Sequence, residues 1–158
     1  MLVIAARTGV GKTALGVQVA ASLAWSGLTV GFVSAELESR SIEARLIANL
    51  SRRFFGQRWW RNSGEDYGYV TVGELELPGA SANQQRIAEI VAQTSMRLEE
   101  AGGKILVESP WGACVDTCIN TMRTMKAKHP ELRAVVVDHF HALARHKGGS
   151  MNNPSAML

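Results

Sequence analysis

Residues 2–15 read LVIAARTGVGKTAL, and this stretch decides the fold. Leu2-Val3-Ile4-Ala5-Ala6 is an unbroken apolar run, the pattern of a strand buried on both faces. Arg7 to Gly11 predict a glycine-rich loop, and Lys12 to about Trp25 predict a helix. Leu15, Val19 and Leu23 recur there every four residues, and Gly27 is placed to cap its end. A strand, a glycine loop and a helix that opens on Lys-Thr follow one another without a break.

That order is what phosphate binding requires. Ala6-Arg7-Thr8-Gly9-Val10-Gly11-Lys12-Thr13 matches the P-loop pattern, with alanine in place of the first glycine. Gly9 and Gly11 let backbone N–H groups curl around phosphate oxygens with no side chain in the way. The following helix points the positive end of its dipole at the same anion. In this reading Lys12 reaches the β- and γ-phosphates and the Thr13 hydroxyl ligates magnesium. The expected nucleotide-binding segment is Ala6, Arg7, Thr8, Gly9, Val10, Gly11, Lys12, Thr13 and Ala14. ATP and Mg2+ are the expected cofactors.

Outward from the loop, strands and helices alternate. Thr29 to Ser34 reads as a second strand, ending in Ala35-Glu36, and a helix from about Ser41 to Phe54 carries Ile42, Leu46 and Leu50 on one face. From Phe55 to Gly79 the periodicity is lost; this is an insert or long connection, with a short strand expected at Val70-Thr71-Val72. A helix returns from about Asn83 to Ala101, stopped by Gly102-Gly103. Ile105-Leu106-Val107 is a third strand, and a helix capped by Asp116 runs to about Lys128. Ala134 to Val137, closed by Asp138, is the fourth strand. The alternation implies parallel pairing with right-handed crossovers, hence an α/β sheet with helices on both faces. Ligands then sit beyond the carboxyl ends of the strands, where the loop, Glu36 and Asp138 all fall.

Hydrolysis of ATP needs a second carboxylate for magnesium and a group that orients the attacking water. Asp138 is the candidate for the first role, in the Walker B position, and would act directly or through a bound water. Glu36 is the candidate for the second, with Glu38 two positions on as a chemical equivalent. Glu108, at the end of the third strand, is a weaker alternative to Asp138. The expected catalytic set is thus Lys12, Glu36 and Asp138, with Thr13 and Asp138 at the metal.

Composition narrows the class. The chain has 158 residues, 46% hydrophobic and 20% charged, as a single globular domain would. A net charge of +3 is compatible with nucleic acid but falls short of a basic arm. Cys114 and Cys118 lack the spacing and the partners of a zinc site and read as buried free thiols. No apolar run approaches the ~20 residues of a membrane span, and the N-terminus does not read as a signal peptide. A cytoplasmic protein with no membrane association is expected. The chain opens on a core strand and closes on Asn152-Asn153-Pro154-Ser155, so truncation at both ends is expected, with 145–158 as a flexible tail.

Several segments together resemble the C-terminal motor domain of DnaB-like replicative helicases, the hexameric superfamily 4 group. LVIAARTGVGKTAL is similar to their P-loop, including the Ala-Arg before the glycines. Phe32-Val33-Ser34-Ala35-Glu36-Leu37 resembles the family segment whose glutamate is catalytic, and Arg45 lies nine positions on, where the family usually carries arginine. Val135 to His141 resembles the Walker B run, with His139 and His141 in place of tyrosine and glutamine. The resemblance implies a RecA-like P-loop NTPase core spanning 1–158, incomplete at its C-terminal side. It further implies a homo-hexameric ring, single-stranded DNA at a replication fork as partner, and ATP hydrolysis coupled to unwinding. The family's sensor glutamine, DNA-binding loops and arginine finger are not assignable between His139 and Leu158. Ser34-Ala35-Glu36 is also similar to plasmid RepA-like and KaiC-like ATPases, so a regulatory or recombination ATPase, or a nucleotide-binding remnant, stays open.

Arg52-Arg53-Phe54-Phe55-Gly56-Gln57-Arg58-Trp59-Trp60-Arg61 interleaves cations with flat rings. Stacking with phosphate contact would suit a single strand. The plainer expectation is that the rings pack this segment onto the domain while the arginines stay solvated.

Overall fold

The structure, a computed structural model, describes residues 7, 9–59, 69–76, 84–110 and 114–138. The strand expected over 2–6, Ala6 and Thr8 of the loop, His139, His141 and the tail 145–158 lie outside the described residues. The elements run α1 (Lys12–Trp25), β1 (Thr29–Ser34), α2 (Ser39–Trp59), α3 (Val72–Glu76), α4 (Gln84–Glu100), β2 (Lys104–Glu108), α5 (Val115–Lys128) and β3 (Leu132–Asp138). The three described strands form a parallel sheet in the order β2-β1-β3. This is the α/β architecture expected, consistent with an incomplete RecA-like core.

Two crossovers explain the layering. From β1 the chain passes through α2, α3 and α4 to β2 on one side. From β2 it passes through α5 and across β1 to β3 on the other. Because the second connection runs in the reverse direction, it keeps the same hand only by using the opposite face of the sheet. The cores confirm it. Val30 and Phe32 of β1 pack with Val17, Ala20 and Ala21 of α1 and Ile42, Leu46 and Leu50 of α2. Val33 packs instead with Cys118 and Met125 of α5. All six residues of β1 are buried, as befits a strand covered on both sides. Burying a side chain such as Phe32, which has no exposed surface, contributes about 1.5–3 kcal/mol.

Local signals set the ends of the helices. In α1, Ser26 is the C-cap and Gly27 turns left-handed at φ 83°. The Gly27 N–H donates to the Ala24 carbonyl and the Leu28 N–H to the Leu23 carbonyl, a Schellman closure with Leu23 and Leu28 packed on the core. The end of α4 repeats it, with Gly102 at φ 73° and Gly102 and Gly103 donating to Glu99 and Leu98.

Three expectations need correction. The Val70–Val72 stretch is not a strand. Thr71 and Glu74 form a reciprocal capping box, in which the Glu74 carboxylate accepts from the Thr71 N–H and the Thr71 hydroxyl accepts from the Glu74 N–H, so α3 begins there. The helix after β1 runs to Trp59, five residues beyond Phe54 and into the presumed insert. The cap of α5 is Cys114, boxed with Thr117, and Asp116 lies within the first turn. Cys114 is therefore a half-buried cap, while Cys118 is the buried thiol expected.

Candidate functional site: a P-loop cleft

The loop has the geometry its glycines predict. Gly9 and Gly11 are left-handed at φ 83° and 92°, where a side chain would be strained, and nothing lies within 4 Å of a Cβ built on either. Gly11 is the N-cap of α1 and supplies no side-chain cap, and the first turn holds no acidic residue. The N–H groups of that turn and the helix dipole are thus left for an anion. The Lys12 ammonium donates to the Arg7 carbonyl at 2.8 Å, folded back over its own loop. It must exchange this carbonyl for phosphate oxygens to play the role expected of it.

A cleft of about 630 Å³ opens from the loop, within the size range of small-molecule sites. Gly9, Gly11, Lys12, Thr13 and Ala14 form one wall and Glu36 stands on another. Two serines hold the turn that carries Glu36 through the backbone of Leu37. The Leu37 N–H donates to the Oγ of the fully buried Ser34 at 2.9 Å, and the Ser109 hydroxyl donates to the Leu37 carbonyl at 2.8 Å. The Ala35 N–H donates to the Asp138 carbonyl at 3.0 Å. The turn after β1 is thereby pinned to the ends of both neighbouring strands. Glu38 does not line the cleft; its carbonyl accepts the Ser41 and Ile42 N–H groups and starts α2.

Register places the remaining carboxylate. Asp138 pairs with Ser34 and shares the face of Phe32 and Val136, the face on which α1 packs. Its side chain is 7% exposed, and its Oδ2 has no hydrogen-bond partner among the described residues. A buried carboxylate oxygen without a partner is costly unless something polar meets it. Together with the Thr13 hydroxyl it supplies the hard oxygen donors that magnesium takes, directly or through a water, so the donor set fits that ion. Glu108 pairs with Val33 and hence belongs to the α5 face, away from the loop. That removes it as an alternative to Asp138.

The cleft also contains residues beyond the expected catalytic and nucleotide-binding set, among them Arg45, which the family resemblance had marked. Arg45, Asn49 and Arg52 line it from α2, and Tyr69 and Thr71 from the segment leading into α3. The spacing i, i+4, i+7 carries a signal in the sequence: it runs beside the apolar stripe Ile42-Leu46-Leu50 and gives α2 a polar edge toward the loop. Only the fold shows what that edge faces. Arg52 lies over the Tyr69 ring at 5.9 Å. Its three neighbours make contacts elsewhere: Phe54 meets Trp25 edge-on at 4.6 Å, Arg53 donates to the Ser22 hydroxyl, and Arg97 of α4 covers Phe55. Packing was the plainer expectation for the rings and solvation for the arginines; Arg52 is exposed and also borders the cleft.

The segment 69–76 is itself tied down from α4. Arg86 donates to the Tyr69 carbonyl at 3.3 Å and is ion-paired with Glu74. Burial pushes the Glu74 carboxyl up, but the Thr71 N–H and hydroxyl and the Arg86 guanidinium outweigh it and hold the group below its ordinary value. Among the described residues, no helix is long and apolar enough to cross a membrane.

No curated protein and no solved structure matches this chain. One family model does, over the part that carries the loop, β1, Glu36 and most of α2. Residues 1–57 match the DnaB-like helicase C terminal domain, and the P-loop cleft described above is built largely from that matched segment.

Proposed function

We propose that this chain is the ATP-binding motor domain of a replicative DNA helicase, working as one of six domains in a ring that couples ATP hydrolysis to unwinding. One convergence carries the reading. A phosphate loop with an open helix N-terminus shares a cleft with Glu36, while register puts Asp138, whose Oδ2 has no hydrogen-bond partner among the described residues, on the sheet face that α1 covers. The match of residues 1–57 supports the family assignment within it.

The roles follow from position. The N–H groups after Gly9 and Gly11 cradle the phosphates, Lys12 neutralises the β- and γ-phosphates, and Thr13 and Asp138 hold magnesium. When bound, the metal screens charge that develops on the phosphate oxygens. Glu36, on the turn held by Ser34 and Ser109, accepts a hydrogen bond from the attacking water and aims it at the γ-phosphate. Single-stranded DNA and five further copies are the partners this reading requires, and an arginine from a neighbouring copy would complete the site.

Binding of Mg·ATP to the 158-residue chain, measured by titration calorimetry, tests the core of the proposal. Saturable binding that is lost in Lys12→Ala is expected, with hydrolysis that is slow in the isolated chain. Absence of binding in the wild type would overturn the reading. Brisk turnover without a neighbour would overturn the ring dependence.

A further inference from the structure

Outside the cleft, the first turn of α5 carries two thiols in contrasting surroundings. Cys114 is the N-cap and is half-buried. Its Sγ accepts from the Thr117 N–H at 3.5 Å, and the Thr117 hydroxyl donates to it at the same distance. Cys118 lies one turn on, its N–H donating to the Cys114 carbonyl at 3.0 Å. It is 2% exposed and packs with Val33 and Met125. A helical turn of this length separates Cα atoms by about 6 Å, within the range of about 4.4–6.8 Å that a disulfide spans. Thr117 also lines a cavity of about 500 Å³ between α5 and β2, so a small polar molecule has access to this turn.

Oxygen atoms are the usual helix caps, and a neutral thiol is a weak acceptor by comparison. A sulfur anion meets the two Thr117 donors and the positive end of the α5 dipole far better. The Thr117 hydroxyl and then its N–H accordingly draw the Cys114 thiol below its ordinary value of 9.0, against burial and the charge of Asp116. Cys118 goes the other way: burial, then the neighbouring Cys114, pushes its thiol up. One thiol is set up to attack and the other stays protonated beside it.

We propose that Cys114 and Cys118 form a peroxide-sensitive dithiol, in which Cys114 is oxidised first and Cys118 closes a disulfide on it. The Cys114 thiolate attacks one oxygen of hydrogen peroxide; an S–O bond forms, the O–O bond breaks, and the leaving hydroxide takes up the proton lost by the thiol to become water. The sulfur is oxidised by two electrons and the peroxide is reduced by the same two. The Cys118 sulfur then attacks the sulfenic sulfur; an S–S bond forms, the S–O bond breaks, and the departing hydroxide leaves with the Cys118 proton as a second water. The Cys114 sulfur is thereby turned from Thr117, so oxidation uncaps α5 on the face of the sheet opposite the phosphate loop. This site is separate from the nucleotide cleft and does not depend on how that cleft is read.

Treatment of the full 158-residue chain with hydrogen peroxide, followed by peptide mass mapping, tests it in the wild type, Cys114→Ser and Cys118→Ala. The wild type should form a Cys114–Cys118 disulfide within one chain, reversed by dithiothreitol. Cys118→Ala should stop at the sulfenic acid, trapped by dimedone on Cys114. Cys114→Ser keeps a capping hydroxyl and should leave Cys118 unmodified. Without peroxide, iodoacetamide at neutral pH should alkylate Cys114 at least about tenfold faster than Cys118. Thr117→Val should slow alkylation of Cys114 by about threefold and Thr117→Ser should restore it, since only the hydroxyl differs in kind. Faster alkylation of Cys118, disulfides only between chains, no dimedone adduct in Cys118→Ala, or an unchanged rate in Thr117→Val would each overturn the inference. Should Cys118→Ala fail to fold, the wild-type disulfide and the order of alkylation still decide it.

Discussion

Replacing Gly103 with alanine tests how α1, and with it the phosphate loop, is seated. Gly103 follows the Schellman turn of α4, outside the left-handed region, so alanine is acceptable to its own backbone. The obstacle is the neighbouring helix end. A Cβ there would overlap the Ala24 carbonyl oxygen, with the carbonyl carbon at 2.7 Å and Leu98 Cδ1 at 3.0 Å. The carbon must retreat to at least the 3.4 Å of ordinary contact, and it belongs to rigid backbone of a residue with no exposed surface. The ends of α1 and α4 would be forced apart. Overpacking costs about 1–3 kcal/mol, and a clash with backbone belongs at the upper end, about 3 kcal/mol. For a chain of this size that corresponds to a fall in Tm of about 6–12 °C. Thermal unfolding followed by circular dichroism reads it. Gly73→Ala is the internal control, since nothing lies within 4 Å of a Cβ in that helix and Tm should hold or rise. A drop below about 2 °C for Gly103→Ala would refute the close docking of the two helix ends.

Three further outcomes are expected. Asp138→Asn keeps the buried shape at a position whose Oδ2 has no hydrogen-bond partner among the described residues, so Tm should hold or rise while the magnesium-dependent part of nucleotide affinity is lost; a marked fall in Tm would mean the carboxylate has a structural partner. Ser109→Ala releases one tie on the turn that carries Glu36, so ATP turnover should fall severalfold with nucleotide affinity within about twofold, and an equal loss of affinity would count against a role in aiming Glu36. Glu74 has its pKa lowered in the fold, so its stabilising share is fully present above the ordinary value of 4.5 and is lost as pH falls through the lower folded value. Between neutral pH and about pH 3 the wild type should therefore lose more Tm than Glu74→Gln, and identical slopes would remove the Arg86–Glu74–Thr71 network from the stability of the cleft wall.

The sequence alone determined what depends on neighbours along the chain. A loop-helix order with glycines at two required positions predicts a phosphate loop, because left-handed φ and an open helix end are local properties of Gly9, Gly11 and the residues after them. The apolar periods of α1, α2 and β1 and the glycine stops after α1 and α4 were legible for the same reason. Where two local signals competed, the reading failed. Val70-Thr71-Val72 is β-branched and suggests a strand, yet the Thr71–Glu74 capping box wins, because it satisfies backbone groups that an isolated three-residue strand would leave open. Asp116 is a good cap by type, but Cys114 has the Thr117 partner at the right spacing.

Only the tertiary structure decided which distant residues share a space. Three facts place the candidate residues: the β1–β3 register puts Asp138 on the α1 face, the β1–β2 register puts Glu108 on the other, and the crossover through α2 and α3 brings Arg45, Arg52 and Tyr69 to the cleft. None of these has a local cause. Strand pairing and helix packing are set by which apolar faces can be buried together, and burial is a property of the assembled core rather than of any one segment.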